Sequence, residues 1–173
     1  MTAADERGVD VRVLGRGDGA VLASVAEGVL DRGIAPELAA EFLGDPRHHI
    51  AVAIEAGVVV AFASGVHYVH PDKPTELWIN EVGVSPAHRR RGLGRMVVRA
   101  LVAHGKALGC VNAWVLTDRS NAAAMRLYAS CGGVEAPGDT VMFEFPLAPC
   151  AGRHRREGGS GVARGGERFQ QPT

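Results

Sequence analysis

A strand pattern over Leu77–Val84 passes through Ser85-Pro-Ala-His-Arg-Arg-Arg-Gly-Leu-Gly94 directly into a helical pattern. Leu93, Met96, Val97, Ala100, Leu101 and Leu108 recur at spacings of three, four and seven, Arg95, Arg99 and Lys106 fall elsewhere, and Gly109 stops the run. A strand that turns through glycines into a helix aims unpaired backbone N–H groups, and the positive end of the helix dipole, at one point. Phosphate oxygens fit there. Gly92 and Gly94 let the backbone approach those oxygens with no Cβ between, and Arg89, Arg90, Arg91 and Arg95 supply charge-assisted contacts. A pyrophosphate suits such a cradle better than a single carboxylate. The spelling is neither G-x-x-x-x-G-K-[ST] nor G-x-G-x-x-G, because Gly92-Leu-Gly94 continues as Arg95-Met-Val97.

The rest of the chain supplies strands before this junction and alternating units after it. Val9–Leu14 alternates as a half-buried strand, and apolar residues at helical intervals predict a helix over Asp18–Asp31. A second helix is expected from Pro36 to about Gly44-Asp45-Pro46. Strands Ile50–Glu55 and Val58–Tyr68 read as a hairpin turning at Ala56-Gly57. Beyond the junction, Val111–Thr117 reads as a buried strand, Asn121–Cys131 as a helix closed by Gly132-Gly133, and Thr140–Phe145 as a last strand. The expected order is β-α-α-β-β-β-α-β-α-β. Residues 1–8 read as a flexible N-terminus, 9–147 as one domain, and 148–173 as a disordered Gly/Arg-rich tail, a solvated extension or a contact for an anionic partner.

Charge narrows the partners. Lys plus Arg and Asp plus Glu both total 19, so no global basic field points to nucleic acid, and any positive site is local. No apolar run approaches the roughly 20 residues that span a bilayer, and the first residues hold no apolar signal core, so no membrane partner and a cytoplasmic location are expected. Cys110, Cys131 and Cys150 form no C-x-x-C pair, which fits a reducing compartment. His67 and His70 face opposite sides of a strand, so no metal site is expected.

Arg89-Arg90-Arg91-Gly92-Leu93-Gly94 resembles the [QR]-x-x-G-x-[GA] pyrophosphate loop of the GNAT superfamily of acetyl-CoA-dependent N-acetyltransferases. Asn121-Ala-Ala-Ala-Met-Arg-Leu-Tyr128-Ala-Ser-Cys-Gly132 resembles that family's N-x-x-A-x-x-L-Y-x-x-x-G helix. The resemblance covers Val9 to Leu147 and implies an α/β (α+β) GNAT fold, with a mixed, mostly antiparallel central sheet splayed at the acetyl-CoA site and flanked by helices. It implies acetyl-CoA as cosubstrate, without a metal. The pantetheine arm would lie on the backbone of Val82, Gly83 and Val84, with the pyrophosphate on the loop from Arg89 through Leu93 to Arg95. Asn121 would hold the arm and Tyr128 would meet the sulfur. Seven residues apart on one helix, the two share a face and lie roughly 10 Å apart along its axis.

The implied chemistry is attack of an amine on a thioester. The amine loses a proton, the carbonyl oxygen gains charge, and the thiolate leaves more readily when protonated. Tyr128 is the candidate acid, a backbone N–H near Val82 to Val84 the oxyanion donor, and Glu81 the candidate base, directly or through a water. Tyr128 as a core tyrosine and Glu81 as a surface carboxylate remain open. Ribosomal-protein-acetylating members of the superfamily carry a glutamate where this chain has Leu116, which argues against their base here. Asp118, at the end of the strand Val111–Thr117, is a candidate for substrate binding; alternatively it, or Ser120, caps the following helix.

Within the superfamily, Ile50–Phe145 is similar to the aminoglycoside 3-N-acetyltransferases of the gentamicin and fortimicin type. The similar features are the Pro-containing loop between Tyr68 and Leu77, Glu81 before the strand end, HRRRGLG with His88, Asp118, and Val141-Met142. This implies a small-molecule polyamine substrate held by Glu81 and Asp118, in an enzyme of the antibiotic-resistance type, and admits a homodimer. A peptide or protein amine, a small monoamine, or a non-catalytic acyl-CoA-binding module are the alternatives.

Overall fold

Alternating apolar residues place the strands side by side in chain order: β1 (Ala3–Ala4), β2 (Val9–Leu14), β3 (His48–Glu55), β4 (Val58–Tyr68), β5 (Glu76–Val84) and β6 (Asn112–Val115). The computed structural model describes residues 3–4, 8–136 and 138. The expected strand Thr140–Phe145 and the expected tail from Ala148 lie outside the described residues. Neighbours β1 to β5 pair antiparallel and β5 pairs parallel with β6. Within the segment expected to be flexible, Ala3–Ala4 add a two-residue strand to β2.

Ala56 and Gly57 both take positive φ, 49° and 79°, so the chain reverses in two residues between β3 and β4, as expected of a hairpin whose turn matches the strand twist. Pro36 opens α1 (Pro36–Gly44), where its missing N–H costs nothing. The amphipathic run forms α2 (Leu93–Ala107) and the last described helix is α3 (Ala122–Ser130).

The helix expected over Asp18–Asp31 is replaced by a single 3-10 segment, Asp18–Ala23, followed by extended chain. Tertiary pairing decides this: Ala26 N–H donates to the Val59 carbonyl at 2.9 Å, and Val59 N–H to the Ser24 carbonyl at 2.9 Å. Gly28 then turns at φ 70°, against Pro86. The strand expected over Val111–Thr117 shortens to Asn112–Val115 and is half-exposed, with Val111 and Leu116 open to solvent. A short apolar run does not by itself report burial.

Two apolar layers sandwich the sheet. On one face α2 packs Leu93, Val97, Val98 and Leu101 against Ala51, Ala53, Ala63, Leu77 and Ile79. On the other, Leu22, Val29 and Leu43 cover Ile50, Val52, Val59 and Phe62. His49 is buried in the α2 layer's far end, bonded through Nε2 to His67 Nδ1 at 2.7 Å and through Nδ1 to His104 Nε2 at 3.0 Å. Burial and the neighbouring imidazoles push its pKa down to about 4, so it packs as a neutral ring. His70 pairs instead with Asp72, and among the described residues no three His, Cys, Asp or Glu side chains are placed to hold a metal ion.

The register breaks once on the way to the site. Gly65 pairs with Ile79 and Ser64 with Glu81, so Asn80 is an extra residue on β5. This bulge takes Glu81 off the core face of Leu77 and Ile79 and puts it on the α1 face, beside Trp78.

Candidate active site

Among the described residues, the end of β5 leaves backbone groups without a strand partner. Ser85 N–H donates to the Val60 carbonyl at 3.0 Å, which makes Ser85 and Val60 a hydrogen-bonded antiparallel pair. Alternation then turns the N–H and C=O of Val84, and of Val82, away from β4. On that side β6 pairs only with Glu76 to Ile79. The two strands therefore part beside Val82 and Val84, and an extended amide chain could add to this edge.

A short 3-10 turn, Pro86–His88, leads into the arginine loop. Arg90 takes φ 61° and Gly92 φ 83°, and Gly92 begins α2 with no side-chain cap on its first turn. Alternating hands along a backbone curl successive N–H groups into a concave anion nest, here continuous with the helix N-terminus. Gly94 is buried, and a Cβ there would press within 3.4 Å of both Leu127 and Val84. Its bare backbone thus lets α3 close on the start of α2 while keeping the cradle open. These features fit a pyrophosphate.

The arginines divide their work. Arg89, Arg90 and Arg95 line the cleft and are exposed, joined by Arg126 from α3. Arg91, expected on the phosphates, instead sends both terminal nitrogens to Glu55, Nη1 to Oε2 at 2.9 Å and Nη2 to Oε1 at 2.6 Å. His88 Nε2 lies 3.3 Å from the same carboxylate. Arg91 therefore anchors the loop to the β3 hairpin and contributes backbone to the nest. Leu93 likewise buries its side chain in the core and offers only its N–H. The Arg91 guanidinium holds the Glu55 carboxyl below the ordinary range, so the anchor persists at neutral pH and loosens only as pH falls through that depressed value. If the cradle holds the acetyl-CoA that the resemblance implies, Glu55→Gln should raise its Kd by calorimetry roughly two- to fivefold, the scale of a part-exposed ion pair, although Glu55 lies outside the cleft.

An open cleft of about 1060 Å³ joins Glu81, Val82, Gly83, Val84, the 89–95 loop, Asn121 and Tyr128. Asn121 is itself the cap of α3: its Oδ1 accepts from Ala124 N–H at 3.1 Å, which leaves Nδ2 as a donor for the cleft. Asp118 is exposed and does not line this cleft; its carbonyl accepts from Asn121 N–H at 2.9 Å, so it shapes the turn before the helix. Tyr128 is half-buried, its ring packed against the α2 core. Burial, and to a lesser degree Cys131, raise its pKa, so the hydroxyl stays protonated at neutral pH.

Asp31 is the residue missed from the sequence. A Cβ on Gly83 would sit 2.1 Å from the Val29 carbonyl oxygen and 2.5 Å from Phe62, so only glycine lets the 28–31 segment cross β5 there. The crossing carries Asp31 into the cleft next to Glu81. Partial burial, and secondly the Asp31 charge, raise the Glu81 pKa, although part of Glu81 still meets solvent. A Gly28-containing bend after a 3-10 segment was the available signal, hidden by the helical spacing of the apolar residues around it.

The Acetyltransferase (GNAT) family model matches residues 24–133. The chain is 36% identical over 90 residues to the N-alpha-acetyltransferase RimI of Mycobacterium tuberculosis, covering 52% of this chain and 54% of that protein. It is 41% identical over 61 residues to the [ribosomal protein bS18]-alanine N-acetyltransferase of Salmonella typhimurium, covering 35% and 41%. It thus spans about half or less of the length of these relatives. Among solved structures, an aminoglycoside acetyltransferase from an uncultured soil metagenomic sample, in complex with sisomicin, superposes with a TM-score of 0.68 at 16% identity, over 83% of this chain and 99% of that one. At that identity the likeness speaks for the fold.

Proposed function

The chain belongs to the GNAT acetyltransferase family, and on that premise we propose that it transfers acetyl from acetyl-CoA to a polycationic, ring-bearing amine of the aminoglycoside class. The observation that carries the acceptor class is the pair of carboxylates, Asp31 and Glu81, near each other on the α1 face of β5 in the cleft that the arginine loop also lines. Two like charges kept at one mouth favour a ligand that brings several ammonium groups.

Acetyl-CoA supplies the activated acyl group. The nest at Arg90 to Gly94 and the side chains of Arg95 and Arg126 hold its phosphates, with Arg89, whose Nε donates to the Val84 carbonyl at 3.5 Å, beside them; the backbone edge at Val82 and Val84 holds its amide arm, with Asn121 Nδ2 as a further donor. Glu81 accepts a proton from the acceptor ammonium, a role helped by its raised pKa. The outward N–H of Val82 or Val84 faces the charge that develops on the carbonyl oxygen. Tyr128 gives its hydroxyl proton to the departing sulfur.

The RimI-type relatives favour a second reading, acetylation of a peptide or protein α-amine. Ionic strength separates the two. With gentamicin as acceptor, kcat/KM should fall severalfold between about 0.01 and 0.15 M salt, as the Debye length shrinks from about 30 to about 8 Å, and Asp31→Asn should flatten that dependence. A salt-independent kcat/KM for gentamicin, with efficient acetylation of peptide N-termini, would favour the second reading.

A further inference from the structure

The chain has only two tryptophans, and they lie together on the acceptor side of the sheet. Trp78 on β5 pairs in register with Trp114 on β6, and their rings stack with centroids 5.4 Å apart and planes inclined by 11°. The bulge at Asn80 is what aligns this stack with the catalytic carboxylate. Glu81 pairs with Ser64 and Trp78 with Val66, residues two apart on β4, so Glu81 and Trp78 are same-face neighbours roughly 7 Å apart.

A polar bond borders the stack: Tyr68 donates its hydroxyl hydrogen to Glu76 Oε2 at 2.9 Å. Trp78 is 38% exposed. Leu116, 51% exposed, follows directly after β6. Neither indole belongs to the α1-side apolar layer. The result is an exposed aromatic surface with a carboxylate at either end, Glu76 and Glu81.

The geometry points to a second acceptor subsite: the Trp78–Trp114 shelf receives the ring of the acceptor that is remote from the acetylated amine, with that ring's ammonium over the indole face. This inference rests on the polycationic-amine reading and extends it from charge to shape. An indole face attracts an ammonium through its quadrupole and covers the apolar face of a ring, and flanking carboxylates strengthen the preference for a cation. Cross-strand stacking for stability alone is the competing account. It requires neither alignment with Glu81 nor an exposed face.

Because both indoles sit in the shelf, intrinsic fluorescence reports on it alone. The full chain, saturated with CoA, is titrated with gentamicin, with a small alkyl diamine and with a tripeptide. Gentamicin should change the emission with a midpoint near its KM, and the alkyl diamine should leave it unchanged. Trp78→Ala should raise the gentamicin KM about tenfold or more, keep kcat within about twofold, and leave the diamine KM unchanged. Trp78→Leu, which fills the space without an aromatic face, should raise the gentamicin KM by about as much, and is the deciding variant if the alanine form fails to fold. Gentamicin acetylated with silent tryptophan emission, or with an unchanged KM in the Trp78 variants, would overturn the shelf and leave the acetyltransferase reading standing. A response to the tripeptide alone would overturn an aminoglycoside ring as the occupant. Acetylation of none of the three amines would instead count against the reading on which the shelf rests.

Discussion

Tyr128→Phe should lower kcat by roughly 10² to 10⁴ while changing the Kd of acetyl-CoA less than about twofold. The ring packs against the α2 layer, and phenylalanine preserves that packing, so the fold should be retained. What disappears is a hydroxyl in the cleft, kept protonated by burial. A thiolate that leaves without a proton leaves slowly at neutral pH, which is why the loss belongs to kcat. Calorimetry and steady-state kinetics on the same preparation make the separation. Wild-type turnover in the phenylalanine variant would return Tyr128 to a purely structural role.

Glu81→Gln should cost kcat roughly 10² or more, with partial recovery at high pH where solution deprotonates the amine. The pH profile carries a sharper signature. As a base Glu81 must be ionised, so kcat/KM is lost as pH falls through its raised pKa. Removing the neighbouring negative charge with Asp31→Asn lets Glu81 ionise at lower pH, and the acid limb should move down. Loss of amine deprotonation gives a limb of the same sign, so the profile is measured with two amines of different basicity. A limb that tracks the amine and ignores Asp31→Asn would remove Glu81 from the chemistry.

The parts of the site that lie along one continuous stretch were legible in the sequence. Arg89 to Gly94 announce the cradle because the glycines and the following helix sit within a few residues, and Asn121 and Tyr128 share a face by helical spacing alone. The hairpin at Ala56-Gly57 was equally local. What escaped depends on contacts between distant segments. Asp31 enters the cleft only because Gly83 lacks a Cβ and Ser24 to Ala26 pair with Val59, events that a helical pattern of apolar residues cannot reveal.

Arg91 shows a second limit. Three consecutive arginines look equivalent as charge, yet the carboxylate of Glu55, at the end of β3, takes the third. Register is a third limit. Simple alternation from Leu77 and Ile79 would bury Glu81 in the α2 core; one extra residue at Asn80 reverses it and aligns it with Trp78. Asp118 lies in the turn before α3, where its carbonyl accepts from Asn121 N–H, and it is not among the residues that line the cleft.

The most direct measurement is identification of the acetylated product by mass spectrometry after the purified chain is incubated with acetyl-CoA and an equimolar mixture of gentamicin, small monoamines and peptides with free N-termini. Acetyl-gentamicin as the dominant product, with CoA release in equal amount and both lost in Tyr128→Phe, is the expected result. Tight binding of CoA with no acetylated product from any amine, or acetylated peptides with gentamicin untouched, would contradict it.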